Sequence, residues 1–258
     1  NGMNLDYSPV SKFRASGDPN DVKIAAKMLL GAKRPVIQAG QGVLYADASD
    51  KLLELAEITR VPVMTTMAGK SSFLENHELS LGTRSSTTTD MVVDFLDKSD
   101  LVFGIGCSFT RIHYGMDQFD KKTLVHVTNS PDDINKDYSP DHAVIGDAKL
   151  VLDQLITEVK SLLGSNKVNE NFKFENEIAA IRDQWFKQWM PHLTSDEVPI
   201  SPYRVIWELM QNTDPSETIV THDSGSPRDQ VIPFYNATNP NGFIGWGKST
   251  QLGYSLGL

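Results

Sequence analysis

Short continuous apolar runs alternate along this chain with stretches whose apolar side chains recur every third or fourth position. The runs at 35–39, 61–65, 101–105, 124–128 and 143–145 are too short for helices. They carry no polar alternation, so they predict strands buried on both faces. Residues 20–31 put Val22, Ala25, Ala26, Leu29 and Leu30 on one helical face, with Asn20 or Asp21 placed to cap it. Residues 47–60 repeat the pattern with Leu52, Leu53, Leu55, Ala56 and Ile58. Further helices are predicted over 89–98 and over 148–163, the latter with Leu150, Leu152, Leu155, Ile156, Val159 and Leu163 inward. Residues 67–82 have no period and read as a long loop. Buried strands alternating with amphipathic helices predict the α/β class, here a doubly wound parallel sheet over 20–164. A ligand of such a sheet sits at the strand C-termini, here the loops 40–42, 65–69, 104–109 and 128–131.

The pattern changes on either side of that unit. Residues 1–19 read as an irregular lead-in broken by Pro9, Gly17 and Pro19. Residues 164–171 read as a polar hinge, 172–190 as a helix carrying Trp185, Phe186 and Trp189, and 191–200 as a linker. Ser201 and Pro202 open another helix, with Val205, Ile206 and Leu209 as its stripe. The expected organisation is a lead-in over 1–19, the doubly wound domain over 20–164, a linker with a helix over 165–200, and the beginning of a second α/β domain over 201–258. Within 201–258 a pair of short runs, Ile219–Val220 and Phe243–Ile244, each meet a loop rich in Gly, Ser and Thr that leads toward a helix. Two such turns side by side at the ends of parallel strands would point backbone N–H groups at an anion, typically a phosphate. Gln251 to Leu258 read as the opening turns of a helix with no C-cap signal, so the chain is expected to be a piece of something longer.

Composition narrows the function classes. A net charge of −9 argues against a nucleic-acid surface. The single cysteine, Cys107, excludes an internal disulfide and suits a reducing compartment. No apolar run reaches membrane length and no leader pattern opens the sequence, so the cytoplasm is the expected location. Most isolated motifs have a plain structural reading. Gly40-Gln41-Gly42 lacks the third glycine of a dinucleotide turn, Tyr45 standing in its place, and reads as a tight turn after a buried strand. Cys107 has His113 and His126 as candidate bases but no thiol-enzyme signature around it, and reads as core. Histidines and acids show no metal-ligand spacing. Of the carboxylate pairs, Asp132 with Asp133 read as helix caps, while Asp223 with Asp229 flank the first glycine-rich loop. Trp185 and Trp189 lie at helical spacing and read as packing residues.

Taken in order, these segments carry a resemblance. The runs Arg-Pro-Val-Ile-Gln-Ala-Gly-Gln-Gly-Val at 34–43, Val-Pro-Val-Met-Thr-Thr-Met-Ala-Gly-Lys at 61–70, Leu-Val-Phe-Gly-Ile-Gly at 101–106 with Arg111 after it, Asn-Ser-Pro-Asp-Asp-Ile at 129–134 and Gly-Asp-Ala at 146–148 resemble the central domain of one enzyme group. That group is the thiamine-diphosphate-dependent enzymes of the acetolactate synthase, pyruvate oxidase and benzoylformate decarboxylase type. Asp223-Ser224-Gly225-Ser226-Pro227 resembles their first diphosphate-holding loop, Gly225 and Ser226 offering N–H groups and a hydroxyl. Thr250, Gln251 and Leu252 resemble the loop under the cofactor rings. There Thr250 would present its carbonyl to the 4′-amino group, and Leu252 would be the apolar wedge that bends the cofactor into its reactive shape. The resemblance implies a decarboxylase or carboligase of 2-oxo acids in a homodimer or homotetramer, with Mg²⁺ bridging the diphosphate. It places the magnesium motif downstream of Leu258 and the activating glutamate on an upstream domain of a partner subunit, so that this segment alone would be inactive. FAD is a further candidate ligand of the central domain, compatible with Gly40–Gly42 and Arg111, although Gly82-Thr83-Arg84-Ser85 departs from flavin-binding members. Acetolactate synthases carry Gln and His where Ser226 and Pro227 stand. Two other readings stand beside this one: a non-catalytic domain binding FAD, ADP or NAD, and a purely structural interface domain.

Overall fold

The computed structural model describes residues 13–111, 119–164, 168–245 and 252–253. Six strands form one parallel sheet: β1 (Pro35–Ala39), β2 (Val63–Thr66), β3 (Ser80–Arg84), β4 (Leu101–Ile105), β5 (Thr123–Thr128) and β6 (His142–Ile145). Their order is β3-β2-β1-β4-β5-β6, which reverses direction between β1 and β4. This is the doubly wound α/β arrangement that the alternation predicts. Every residue of β1 and of β4 is buried, Gln38 of β1 included, which is why both strands read as short and mainly apolar.

The helices are α1 (Pro19–Gly31), α2 (Gln41–Tyr45), α3 (Ser49–Thr59), α4 (Asp90–Lys98) and α5 (Ala148–Leu163). Helix α5 packs between α1 and α3. Right-handed crossovers carry α3 from β1 out to β2 and α4 back from β3 to β4, which puts those two on opposite faces of the sheet. The cap of α1 is Asp18, whose side chain accepts from the Asn20 N–H at 2.8 Å, and not Asn20 or Asp21. Pro19 needs no hydrogen-bond acceptor at a helix start, so the helix begins one residue early. Thr89 caps α4 and Asp147 caps α5, as oxygen side chains at strand-to-helix turns should. On α5 the buried positions include Val151, while Leu150 and Leu163 are only partly covered. Asp132 and Asp133 cap no helix: they lie in a single 3-10 turn, where Asp133 accepts from the Thr128 hydroxyl at 3.3 Å.

The expected loop over 67–82 contains a 3-10 turn at Met67–Gly69 and ends in β3, the outer strand of the sheet. Of the expected hinge, 165–167 lie outside the described residues. Asn169 is buried, its N–H bonded to the Ile58 carbonyl at 2.9 Å.

Beyond it come α6 (Glu175–Leu193), α7 (Pro202–Asn212), β7 (Val220–Thr221), α8 (Ser226–Phe234) and β8 (Phe243–Ile244). Helix α6 continues through Pro191 to Leu193, three residues past its expected end. Trp185 is buried and stacks on Phe234 at 5.0 Å, and Trp189 and Tyr203 close an aromatic box around the same ring. The two tryptophans are packing residues, as their spacing suggests. Strands β7 and β8 pair in parallel, Val220 opposite Phe243 and Thr221 opposite Ile244.

A fully buried ion pair ties this second unit to the first. The Lys70 ammonium lies 2.6 and 2.5 Å from the two Glu75 oxygens and donates to the Ile232 carbonyl of α8 at 3.0 Å. Glu75 also accepts from the Thr83 hydroxyl and from the Ala237 N–H, and its own N–H returns to the Ala237 carbonyl. Burial pulls the Lys70 pKa down, and the Glu75 carboxylate opposes that pull.

Candidate functional site

Two places could serve as a site: the reversal point of the large sheet and the loops after β7 and β8. At the reversal point, glycines let three loops touch backbone to backbone. A Cβ on Gly40 would stand 2.2 Å from the Gly106 carbonyl oxygen, one on Gly42 would stand 2.7 Å from the Gly106 Cα, and one on Gly69 would meet the Ala39 carbonyl at 2.7 Å. The amides that a dinucleotide turn would aim at a pyrophosphate are engaged here. Gly40 N–H donates to the Ile105 carbonyl and Gly42 N–H to the Gly106 carbonyl. The β1 turn therefore acts as the tight packing turn that its missing third glycine suggests.

Next to it, Cys107 is buried, and burial pushes its thiol up to about 11. His126 does not reach that sulfur. Its Nε2 lies 2.7 Å from the Cys107 carbonyl oxygen, so Nε2 carries the proton and donates it there. No thiolate is prepared, and Cys107 is a core residue. His113, the other candidate base, lies outside the described residues.

The C-terminal loops are built differently. Strand β7 ends at Thr221, and residues 222–225 turn the chain into α8. Gly225 has a φ of 88°, a conformation that favours glycine, and a Cβ there would meet nothing within 4 Å. Gly225, Ser226 and Pro227 are exposed at the start of α8, with Asp223 and Ser224 half-buried behind them. The Ser226 hydroxyl has no partner among the described residues. A helix start carries partial positive charge and N–H groups without intrahelical acceptors. Pro227 removes one of those donors, and Asp229 N–H turns back to the Gly225 carbonyl at 3.3 Å.

The second loop comes to the same place. Gly253 N–H donates to Asp223 Oδ2 at 3.0 Å, and Leu252 beside it is 82% exposed. At the start of that loop a Cβ on Gly245 would lie 3.1 Å from His222 Nε2. Parallel β7 and β8 thus bring Asp223–Pro227 and Leu252 together. Thr250 and Gln251 lie outside the described residues.

Two residues of this place were not singled out in the sequence. His222 is buried, and its Nδ1–H donates to the Asp223 carbonyl at 3.0 Å, leaving Nε2 a buried acceptor without a partner among the described residues. Burial lowers its pKa, and the nearby Arg228 guanidinium adds to the shift. Arg228, in the first turn of α8, bonds Asp229 Oδ1 through Nε at 2.9 Å. The central unit fixes that carboxylate: Ser86 Oγ donates to Asp229 Oδ1 at 2.9 Å and Thr87 Oγ1 to the Asp229 carbonyl at 2.6 Å. A histidine and an arginine in a polar loop give no periodic signal, so only the fold reveals their convergence. Among the described residues no three His, Cys, Asp or Glu side chains converge to hold a metal ion. None of the described helices is long and apolar enough to cross a membrane.

Residues 22–155 match the central domain of the thiamine pyrophosphate enzymes. The chain is 32% identical to a probable acetolactate synthase large subunit of Methanococcus aeolicus, over 98% of this chain and 43% of the relative. It is 33% identical to the acetolactate synthase of Mycobacterium bovis, over 97% of this chain and 39% of the relative. It is 31% identical to the glyoxylate carboligase of Escherichia coli O157:H7, over 79% of this chain and 34% of the relative. The chain thus spans about two-fifths of the length of the acetolactate synthases it matches.

Proposed function

As the chain belongs to the thiamine pyrophosphate enzymes, we propose that it forms a portion of an enzyme that decarboxylates or joins 2-oxo acids with bound thiamine diphosphate. The observation that carries this reading is the meeting of the two C-terminal loops, with Gly253 N–H on Asp223 beside the open start of α8. The donor set fits a diphosphate. The start of α8, the Ser226 hydroxyl and exposed Gly225 lie together in one turn, and the glycine at 225 leaves room for close approach. Leu252, a large apolar side chain standing in the open next to Asp223, suits the role of a wedge against a ring system.

When bound, such a cofactor supplies a carbon nucleophile and an electron sink. This chain's own residues do the holding. Gly225 and Ser226 would take the diphosphate, Thr250 and Gln251 would line the ring site, and Leu252 would fix the bend. Asp223 orders both loops by accepting from Gly253. In our reading the magnesium ligands and the activating glutamate come from regions of the relatives' length that this chain does not cover. Subunits of a homodimer or homotetramer then complete each other's sites. The relatives named as acetolactate synthases and a carboligase support joining over simple decarboxylation.

The test is calorimetric titration of the full-length protein with thiamine diphosphate and Mg²⁺. Saturable binding, lost in Asp223→Ala, is the expected result. A protein that binds FAD at the central domain but shows no heat with thiamine diphosphate would sink the reading.

A further inference from the structure

We propose that His222 is a positioning residue of this site: its neutral imidazole seats the start of the second loop against the central unit, and protonation unseats that loop. The inference rests on the cofactor reading above and deepens it, because it adds a proton-dependent control to the same site.

His222 stands where three parts of the chain meet. It follows the last residue of β7 and is 5% exposed. Its ring lies 5.4 Å from that of Phe243 in β8. A Cβ on Gly245 would come 3.1 Å from its Nε2 and 3.3 Å from the Met67 carbonyl oxygen of the central unit. Gly245 thus passes between the imidazole and the 3-10 turn at Met67–Gly69, a passage that suits a residue without a side chain. The His222 Nδ1–H is committed to the Asp223 carbonyl, and the Asp223 carboxylate accepts from the Gly253 N–H. Two adjacent residues therefore meet the second loop at two points, His222 at Gly245 and Asp223 at Gly253.

The neutral ring is the form that this packing accepts. Its Nε2 is a buried acceptor without a partner among the described residues, on the side where Gly245 passes. A proton there would create a buried donor and a buried charge, both costly without a counter-group. Asp223 and Asp229 favour an imidazolium, but Asp229 is already engaged by the Arg228 guanidinium and by Ser86, and burial, with Arg228 adding to it, prevails. Lys70, 5.3 Å from the Phe243 ring, has Glu75 as its counter-ion, and Tyr235 lies 6.2 Å from the same ring. An imidazolium is relieved by turning out to water, which breaks its bond to the Asp223 carbonyl and removes the seat of Gly245. The unseated form thus takes the proton nearer the ordinary 6.5, so affinity is full above that pH and falls below it.

The experiment is titration of full-length wild type, His222→Asn and Gly245→Ala with thiamine diphosphate and Mg²⁺, each at pH 7.5 and pH 5.5. Asn keeps an N–H donor for the Asp223 carbonyl and carries no titrating proton. The ligand's own phosphate titrates at about 6 in every case, so what is read is each protein's loss of affinity between the two pH values. Wild type is expected to lose about five- to tenfold more than His222→Asn, as one histidine titrating near its ordinary value allows. Gly245→Ala, whose methyl would press on Nε2 and on the Met67 carbonyl, is expected to bind more weakly than wild type at pH 7.5. Equal losses in wild type and His222→Asn, or wild-type affinity in Gly245→Ala, would overturn the inference and leave the cofactor reading standing. No binding by wild type at pH 7.5 would overturn both.

Discussion

Packed under the β1 turn, the Cys107 thiol is held neutral because burial of its charged form outweighs the Gln38 amide at 3.6 Å and the Phe109 N–H that would favour it. Native protein should therefore leave Cys107 unreacted with a thiol-directed disulfide reagent for hours, and react at once in guanidinium. Rapid labelling of the native state would show the core reading to be wrong. Two histidines make the opposite kind of statement. Burial is the main reason that His126 and His222 titrate below the ordinary 6.5. A base with a lowered folded pKa binds its proton more readily in the unfolded chain, so its neutral form adds stability above about 6.5, and that stability is lost as pH falls below it. Thermal midpoints measured from pH 8 to pH 5.5 should drop, and His222→Asn should flatten some of the drop. A drop of the same size in the variant would remove His222 from the explanation. The inert cysteine was legible in the sequence because no thiol signature surrounds it. The histidine was not, because its partner is a carbonyl one residue away whose direction only the turn decides.

At the scale of elements, legibility followed apolar composition, since β3 is nearly as buried as β1 and β4. Strands β1 and β4, covered on both faces, read directly from apolar runs. Strand β3 did not, because Ser-Leu-Gly-Thr-Arg has a glycine at a φ of 93° and three polar side chains. Tertiary bonds hold it in place: Thr83 bonds Thr65 and Glu75, and the Leu81 and Ser80 carbonyls accept from Thr89 and Arg182. Such a strand exists because its neighbours need it, and local propensity does not announce it. The turns between elements give a paired prediction. Gly40→Ala would force a methyl into the Gly106 carbonyl and the Cys107 backbone, neither of which is a flexible end, and should cost about 1–3 kcal/mol or more. Gly31→Ala, at the end of α1 with nothing within 4 Å, should be neutral or stabilise by about 0.4–1 kcal/mol. Denaturant midpoints of the two variants should move in opposite directions or differ clearly. Equal shifts would mean that the three-loop contact does not hold the sheet's reversal point closed.

For the molecule as a whole, the question is what keeps the small β7–β8 unit in register with the large sheet, since the candidate site lies on the former while Ser86 and Thr87 reach it from the latter. Apolar contact is one answer, because Phe234 of α8 belongs to the same aromatic box as Trp185 of α6. The directional contribution comes from Lys70 with Glu75. A pair so buried contributes little net stability compared with apolar residues of the same size, yet removing one partner strands the other charge. Lys70→Met should therefore cost about 3–5 kcal/mol, and the double variant Lys70→Met/Glu75→Gln should recover much of that loss. The Gln would keep an oxygen for the Ala237 N–H without a buried charge. Near-ultraviolet circular dichroism follows the Trp185–Trp189 box, and far-ultraviolet follows the helices. In wild type the two should melt together, because Phe234 ties α8 into the large core, although β7, β8 and the rest of α8 pack in a smaller cluster of their own. In Lys70→Met the aromatic signal should go first, since α8 loses the ammonium that holds its Ile232 carbonyl. Coincident melting in that variant, or a double variant no better than the single, would mean that the aromatic box alone couples the units and that the ion pair is incidental to where the site stands.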